Sequence, residues 1–333
     1  MFTIVAVHST ARGPSLGGCR MWPYADSRTA LRDALRLSRA MTFKSAAADL
    51  PLGGGKGVIA LPAAGTLGPA QRRAALADFA ETVEVLAGRY VTAEDVGTSA
   101  GDMRVIARGT RHVTGLARSR GGSGDPSPFT ALGVLSAMKV SCRHVFGTGS
   151  LRGRSVAVIG LGRVGSRLAA LCARAGARLS VTDLDPGKRA LADRLGARWL
   201  SPGRALTADV DVLAPCALGG VLDHASVASL RCAVIAGAAN NQLAEDSVAH
   251  ELAARAILWA PDFVANAGGI INIAVELEPA GYDPARARER VRAIASTLEE
   301  VYARAAATGA TSLAAALELA RSRLGPAPAR PKL

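Results

Sequence analysis

Residues 2–8 form an apolar run that reads as a strand. The segment DSRTALRDALRLSRAM has a capping residue at Asp26 or Ser27. Apolar side chains follow at Leu31, Ala34, Leu35 and Met41, the spacing of one helix face. GVIAL predicts a buried strand. PAQRRAALADFAETVEVLAG predicts a helix with Pro69 near its start and Gly88 at its stop, burying Leu76, Phe79 and Val83. RYVTAED predicts a strand ending in two acids, and GDMRVIARG a short helix. Residues 119–128, SRGGSGDPSP, are rich in Gly, Ser and Pro and mark a boundary or hinge.

Beyond that segment the pattern becomes regular. A helix is expected at about 129–146. SVAVIGLGRVGSRLAALCARAGARLSVTD then reads as strand, glycine turn, helix, strand. VDVLAP, CAVIAG and AILWAP predict further strands, and helical patterns at about 284–308 and 311–323 close the chain. The tail GPAPARPKL is expected to be disordered. The alternation of strands and helices predicts an α/β fold, and 333 residues exceed one ordinary core, so two domains are expected.

Composition narrows the class. Hydrophobic residues make up 49% and charged residues 20%, a globular profile. No apolar run reaches membrane-spanning length, so no membrane partner is expected. MFTIVAVHST lacks the basic lead and cleavage site of a signal peptide, and the expected location is the cytoplasm. Cys19, Cys142, Cys172, Cys216 and Cys232 are scattered and never spaced as CxxC, which predicts reduced, buried thiols and no metal site. The net charge of +13 is dispersed as single arginines, with no basic block and 4% aromatics, so no nucleic-acid partner is expected. Of 40 basic residues only five are lysines: Lys44, Lys56, Lys139, Lys188 and Lys332. A lysine, unlike an arginine, loses its proton when desolvated. Two of the five, Lys44 and Lys56, fall within one short stretch that includes DLPLGGGKG.

In VIGLGRVG, Gly160, Gly162 and Gly165 match GxGxxG, with Leu161, Arg163 and Val164 between them. The motif follows a strand, opens a helix, and precedes a second strand ending at Asp183, 18 residues after the last glycine. That context specifies a dinucleotide-binding turn. The helix amino terminus favours phosphate, and Asp183 suits both ribose hydroxyls, which favours NAD. Lys188 and Arg189 lie close enough in sequence to admit NADP. In the first domain, GPSLGGCRMW, AMTFKSAAADLPLGGGKG and VTAEDVGTSAGDM set polar groups beside small residues. Lys44 and Lys56 suit either gripping a carboxylate or acting as a base, Asp95 suits proton relay, and Gly17 and Gly18 expose backbone N–H groups.

These blocks, with GDPSPFTALGV, APCALGGVL, GAANNQLA and APDFVANAGGIIN, resemble the leucine, valine and phenylalanine dehydrogenases, relatives of glutamate dehydrogenase, from about residue 4 to about 310. The resemblance implies two domains separated by a cleft. An N-terminal α/β substrate-binding, catalytic and oligomerisation domain would cover 1–128 plus C-terminal helices at about 305–325. A Rossmann-type NAD-binding domain would cover 129–304, with 326–333 as tail. It implies reversible NAD-dependent oxidative deamination of an apolar L-amino acid to the 2-oxo acid and ammonia. Lys44 would bind the substrate carboxylate with Gly18 and Asn241, Lys56 would be the catalytic lysine, and Asp95 its proton-transfer partner. The three glycines before Lys56 would let the backbone and the lysine approach the substrate. Thr130, Ala217 and Asn240 would line the nicotinamide side. Leu16, Ala93, Ile270 and Ile273 would wall a pocket for leucine, valine or isoleucine.

The family also implies a homo-oligomer, a dimer or larger. This chain starts later than typical relatives, whose leading segment takes part in subunit contacts. It also has Cys19 where they more often have Thr. The competing readings are a phenylalanine enzyme, a catalytically silent NAD-binding regulator, and a 2-hydroxy-acid dehydrogenase. The last would need a catalytic histidine, and His8, His112, His144, His224 and His250 fall in none of the motif blocks.

Overall fold

The structure, a computed structural model, describes residues 1–62 and 67–325; the tail expected at 326–333 lies outside the described residues. The chain forms two units. The first comprises Met1–Pro126, Asn272–Pro284 and the described residues from Ala320 on; the second comprises Ser127–Ile271 and Ala285–Leu319. The first boundary falls inside the Gly/Ser/Pro segment. The C-terminal division differs from the expectation at two places. Residues 305–319 belong to the second unit, where the Ser312 hydroxyl donates to Trp259 O at 2.8 Å and Tyr302 in the preceding helix hydrogen-bonds Ser141 at 2.7 Å. Residues 272–284 belong to the first, where the Glu276 carboxylate accepts the N–H groups of Gly115 and Ser123 at 3.0 and 2.8 Å.

The first unit is built on strands β1 (Phe2–Ser9), β2 (Ser15–Pro23), β3 (Gly53–Leu61) and β4 (Tyr90–Glu94), in the order β1-β3-β2-β4. β1 is antiparallel to β3, and the other pairs are parallel. Helices α1 (Ser27–Ala47), α2 (Pro69–Val85) and α3 (Ala100–Ile106) cover the sheet. Leu76, Phe79 and Val83 of α2 are buried as their spacing predicts, against Tyr90, Ile59 and Cys19. The α1 pattern reads differently in space. Leu31 and Leu35 are exposed, and the buried face is Ala30, Ala34, Ser38, Thr42 and Ser45. The cause is the strand beneath. β3 begins at Gly53, ahead of the predicted GVIAL, and a Cβ at Gly54 would sit 2.1 Å from Thr42 N. A helix pressed that close to a glycine backbone has room only for small side chains.

The second unit holds β5 (Ser155–Ile159), β6 (Arg178–Thr182), β7 (Arg198–Trp199), β8 (Val212–Pro215), β9 (Val234–Ile235) and β10 (Leu258–Trp259). They form one parallel sheet ordered β10-β9-β8-β5-β6-β7. This is a doubly wound sheet whose strand order reverses between β5 and β8, the crevice where such sheets take ligands. Helices α4 (Ser127–Phe146), α5 (Arg163–Arg174) and α6 (Arg189–Arg194) belong to it. The expected helix at 284–308 is two, Pro284–Arg292 and Ile294–Thr308. All five cysteines are free, and all but Cys216 are buried.

Candidate active site

In the first unit β2, β3 and the turn after β4 assemble one charged cluster. Lys56 pairs with Ala6 of β1 and alternates with Val58, so it shares their face, where both pack with Ala30 and Ala34 of α1. Its Nζ donates to Asp95 Oδ2 at 2.6 Å. Arg20 Nε donates to the same oxygen at 3.0 Å. The other end of Arg20 reaches Asp33 of α1, Nη1 to Oδ2 at 2.9 Å, and the Tyr24 hydroxyl donates to that oxygen at 2.7 Å. Thr98 fixes the turn: Asp95 N–H donates to Thr98 Oγ1 at 2.9 Å, and the Thr98 hydroxyl donates to Cys19 O at 2.8 Å. The Lys56 side chain is 5% exposed and that of Asp95 25%.

The environment sets the charges. Burial lowers the Lys56 pKa, the Asp95 carboxylate opposes that shift, and Arg20 adds to it; the net direction is down. Burial works to raise Asp95, but the Lys56 and Arg20 cations outweigh it and hold the carboxyl below its ordinary value. The result is a buried amine that gives up its proton readily, hydrogen-bonded to a carboxylate that stays ionised. Such a pair can accept a proton and pass it on.

The glycines around it serve packing. A Cβ at Gly17 would lie 1.7 Å from Gly55 O, and one at Gly18 would lie 2.7 Å from Asp95 Cβ. A Cβ at Gly55 would meet the Tyr90 ring at 2.6 Å, and one at Gly57 the Phe79 ring at 2.5 Å. The glycines at 53–55 are therefore strand residues, Gly53 pressed against Ser9 O, Gly54 against Thr42 of α1 and Gly55 against Tyr90, and not a loop that lets a ligand reach the backbone. Lys44 is half-buried in the last turn of α1. Leu16 and Ala93 are buried in β2 and β4. The division at Ile271/Asn272 falls inside the helix Gly268–Glu276, so buried Ile270 belongs to the second unit and buried Ile273 to the first.

In the second unit the glycine motif lies at the switch point. Gly160 has φ +97°, and a Cβ there would lie 2.7 Å from the Ala217 Cβ. A Cβ at Gly165 would lie 1.9 Å from Gly160 O, so that glycine lets the helix close on the turn. Gly162 caps α5, and apart from its chain neighbours no protein atom meets its Cβ position within 4 Å. Leu161 is buried, while Arg163 and Val164 open the helix. The Asp183 carboxylate accepts Leu161 N–H at 2.6 Å and Asp185 N–H at 2.9 Å, bracing the loop. Thr130 lies in the first turn of α4. Asn240 Oδ1 accepts from Asn266 Nδ2 at 2.7 Å, and Asn241 has φ +51°. An open backbone at a helix amino terminus, with an acid at the next strand end, fits a dinucleotide pyrophosphate and ribose.

Arg20, Asp33 and Tyr24 escape sequence reasoning. Arg20 stands two residues after Gly18 in GPSLGGCRMW, but in a chain with so many arginines the residue type carries no signal. Among the described residues no group of three or more His, Cys, Asp or Glu could hold a metal ion, and no helix is long and apolar enough to cross a membrane.

Comparison with known proteins gives a consistent result. Residues 2–112 match the family described as Glu/Leu/Phe/Val dehydrogenase, dimerisation domain. Residues 181–327 match Glutamate/Leucine/Phenylalanine/Valine dehydrogenase. The chain is 42% identical to leucine dehydrogenase of Thermoactinomyces intermedius over 323 residues, covering 96% of this chain and 86% of that protein. It is 43% identical to valine dehydrogenase of Streptomyces virginiae over 328 residues, covering 97% and 90%. Among solved structures, L-tryptophan dehydrogenase from Nostoc punctiforme superposes with TM-score 0.83 at 38% identity, covering 97% of this chain and 91% of that one.

Proposed function

The chain belongs to the Glu/Leu/Phe/Val dehydrogenase family, and on that premise we propose that it oxidatively deaminates a branched-chain L-amino acid with NAD. The chain is an oxidoreductase of amino-acid CH–NH2 donors that uses a nicotinamide dinucleotide. The observation that carries the reading is the buried Lys56 Nζ at 2.6 Å from Asp95 Oδ2.

A nicotinamide dinucleotide bound at the glycine loop supplies the hydride acceptor. The chain's own residues do the rest. Lys56, whose pKa is lowered by burial, takes a proton in its neutral form from a water as that water adds to the substrate's imine carbon. Asp95 passes protons between Nζ and the departing nitrogen. Arg20 keeps Asp95 ionised and aimed. Lys44 and the Gly18 N–H bind the substrate carboxylate. Leu16, Ala93 and Ile273 offer no partner for a second carboxylate, so glutamate is rejected by the cost of burying an unpaired charge. NAD is favoured by Asp183 at the end of β6. The family description of residues 2–112 names dimerisation, and Leu31 and Leu35 stand exposed on α1, so the working form is read as a homo-oligomer.

The test is kcat/KM with NAD for valine, leucine, isoleucine, phenylalanine and glutamate, in the parent and in Lys56→Ala. The three aliphatic substrates should fall within about 200-fold of one another, because one methylene in an apolar pocket discriminates only to that extent. Phenylalanine should be poorer and glutamate inert. Lys56→Ala should lose turnover by about 100-fold or more while still binding NADH. A preference for phenylalanine or tryptophan would overturn the aliphatic assignment. Lys56→Ala activity within tenfold of the parent would overturn the proton role.

A further inference from the structure

A cleft of about 690 Å³ lies beside the glycine loop of the second unit. The first two turns of α5 form one wall, and the residues from Gly187 to Arg194 form the other. Four cationic side chains line it: Arg163, Arg167, Lys188 and Arg194. None of its lining residues is acidic. The first turn of α5 carries no acid, so the positive end of the helix dipole adds to the same field.

Resting on the coenzyme reading above, the fold gives the cleft an address. In a doubly wound sheet the glycine loop faces the pyrophosphate, and the end of the next strand faces the adenosine ribose. β6 is that next strand, and Lys188 and Arg194 follow it. Asp183 would ordinarily turn a phosphorylated ribose away. Here both its oxygens accept backbone N–H groups, from Leu161 and Asp185, and it does not line the cleft. Asp183 and Asp185, the latter accepting the Gly187 N–H at 2.8 Å, set two negative charges beside the cleft against the four positive ones that line it. Arg189, beside Lys188 in sequence, is directed elsewhere: its guanidinium lies over the Trp199 ring at 5.3 Å. A dianionic phosphate monoester set among several guanidinium and ammonium groups gains charge-assisted hydrogen bonds, the strongest kind available to it.

We propose that this cleft is a phosphate-monoester subsite, so that the chain accepts a 2′-phosphorylated nicotinamide dinucleotide alongside the unphosphorylated one. Of the two sequence expectations, NAD favoured by Asp183 and NADP admitted by Lys188 and Arg189, the second is then the fuller account, with Arg194 taking the place of Arg189.

Calorimetric titration of the full chain tests this with three probes: 5′-AMP, adenosine 2′,5′-bisphosphate and inorganic phosphate. The bisphosphate should bind about tenfold or more tighter than 5′-AMP, and the advantage should shrink as salt rises. Lys188→Ala with Arg194→Ala should erase that advantage and leave 5′-AMP binding within about twofold. Lys188→Arg with Arg194→Lys should keep it. Inorganic phosphate should compete with the bisphosphate. Binding of the bisphosphate no tighter than 5′-AMP would overturn the proposal, with Asp183 governing the site. Phosphate that binds without displacing the bisphosphate would also overturn it, as a free-anion site apart from the coenzyme. If neither nucleotide binds, the coenzyme reading fails and the proposal falls with it.

Discussion

GGGKG in the first unit and GLGRVG in the second are both glycine-rich, and both adjoin proposed active-site groups. They differ in what occupies the space where side chains would be. Around Gly54, Gly55 and Gly57 that space is full of protein: Thr42, Tyr90 and Phe79 stand within 2.1 to 2.6 Å of the Cβ positions. Beside Gly162, apart from its chain neighbours, it is empty to 4 Å. The first stretch uses glycine to bring secondary structures together and so to hold one lysine in a dry place. The second uses glycine at one position to leave room for something that is not protein. Composition alone cannot separate these uses; the neighbouring atoms do.

The contrast can be broken by adding single methyl groups. Gly54→Ala should have the largest effect. Its Cβ would meet the Thr42 backbone, which cannot rotate away. Thermal or urea unfolding should show a loss of about 3 kcal/mol or more, with activity falling because less protein is folded. A stable Gly54→Ala protein would mean that α1 is free to lift from β3. Gly162→Ala is the converse. Its φ of −67° suits alanine and its Cβ meets nothing, so the melting temperature should hold. Dinucleotide affinity should fall by about tenfold, the order of one lost 1.4 kcal/mol contact. Unchanged NADH affinity would remove the loop from the coenzyme site.

The smallest expected effect is at Arg20. The glycine strand matters because of Lys56, and Arg20 helps to keep that lysine's pKa low. If Lys56 acts as a base, the acid limb of kcat/KM follows loss of its proton. Arg20→Gln removes a nearby cation, so the Lys56 pKa rises and the limb moves to higher pH. Arg20→Lys keeps the charge and should move it less. A limb that stays put in Arg20→Gln would assign it to another group.

The GxGxxG turn was legible in sequence because its glycines, helix and acid come at fixed spacing, and each spacing has one geometric meaning. Lys56 and Asp95 were legible as residue types in short motifs, and the structure brings them together. The hydrophobic pattern of α1 does not report its buried face, and the reason is physical. Leu31 and Leu35 carry the hydrophobic pattern, but the buried side is chosen by how closely β3 allows the helix to approach. That depends on glycines more than 15 residues further along the chain, which no helical period reports. Arg20 was hidden for a different reason: its role lies in the one oxygen it shares with Lys56, and its place in the sequence says nothing of that.

The buried Lys56 also ties the folding of the protein to acidity. In the folded chain it holds its proton less tightly than at the ordinary lysine value of 10.5, so unfolding takes up a proton between the two values. Across that window the folded state gains stability as pH rises. Asp95 acts in the same sense at the acid end: its folded pKa lies below the ordinary 3.8, so its contribution is lost as pH falls through that lower value. The conditions that strip Lys56 of its proton for the reaction are therefore the ones under which its burial costs the fold least.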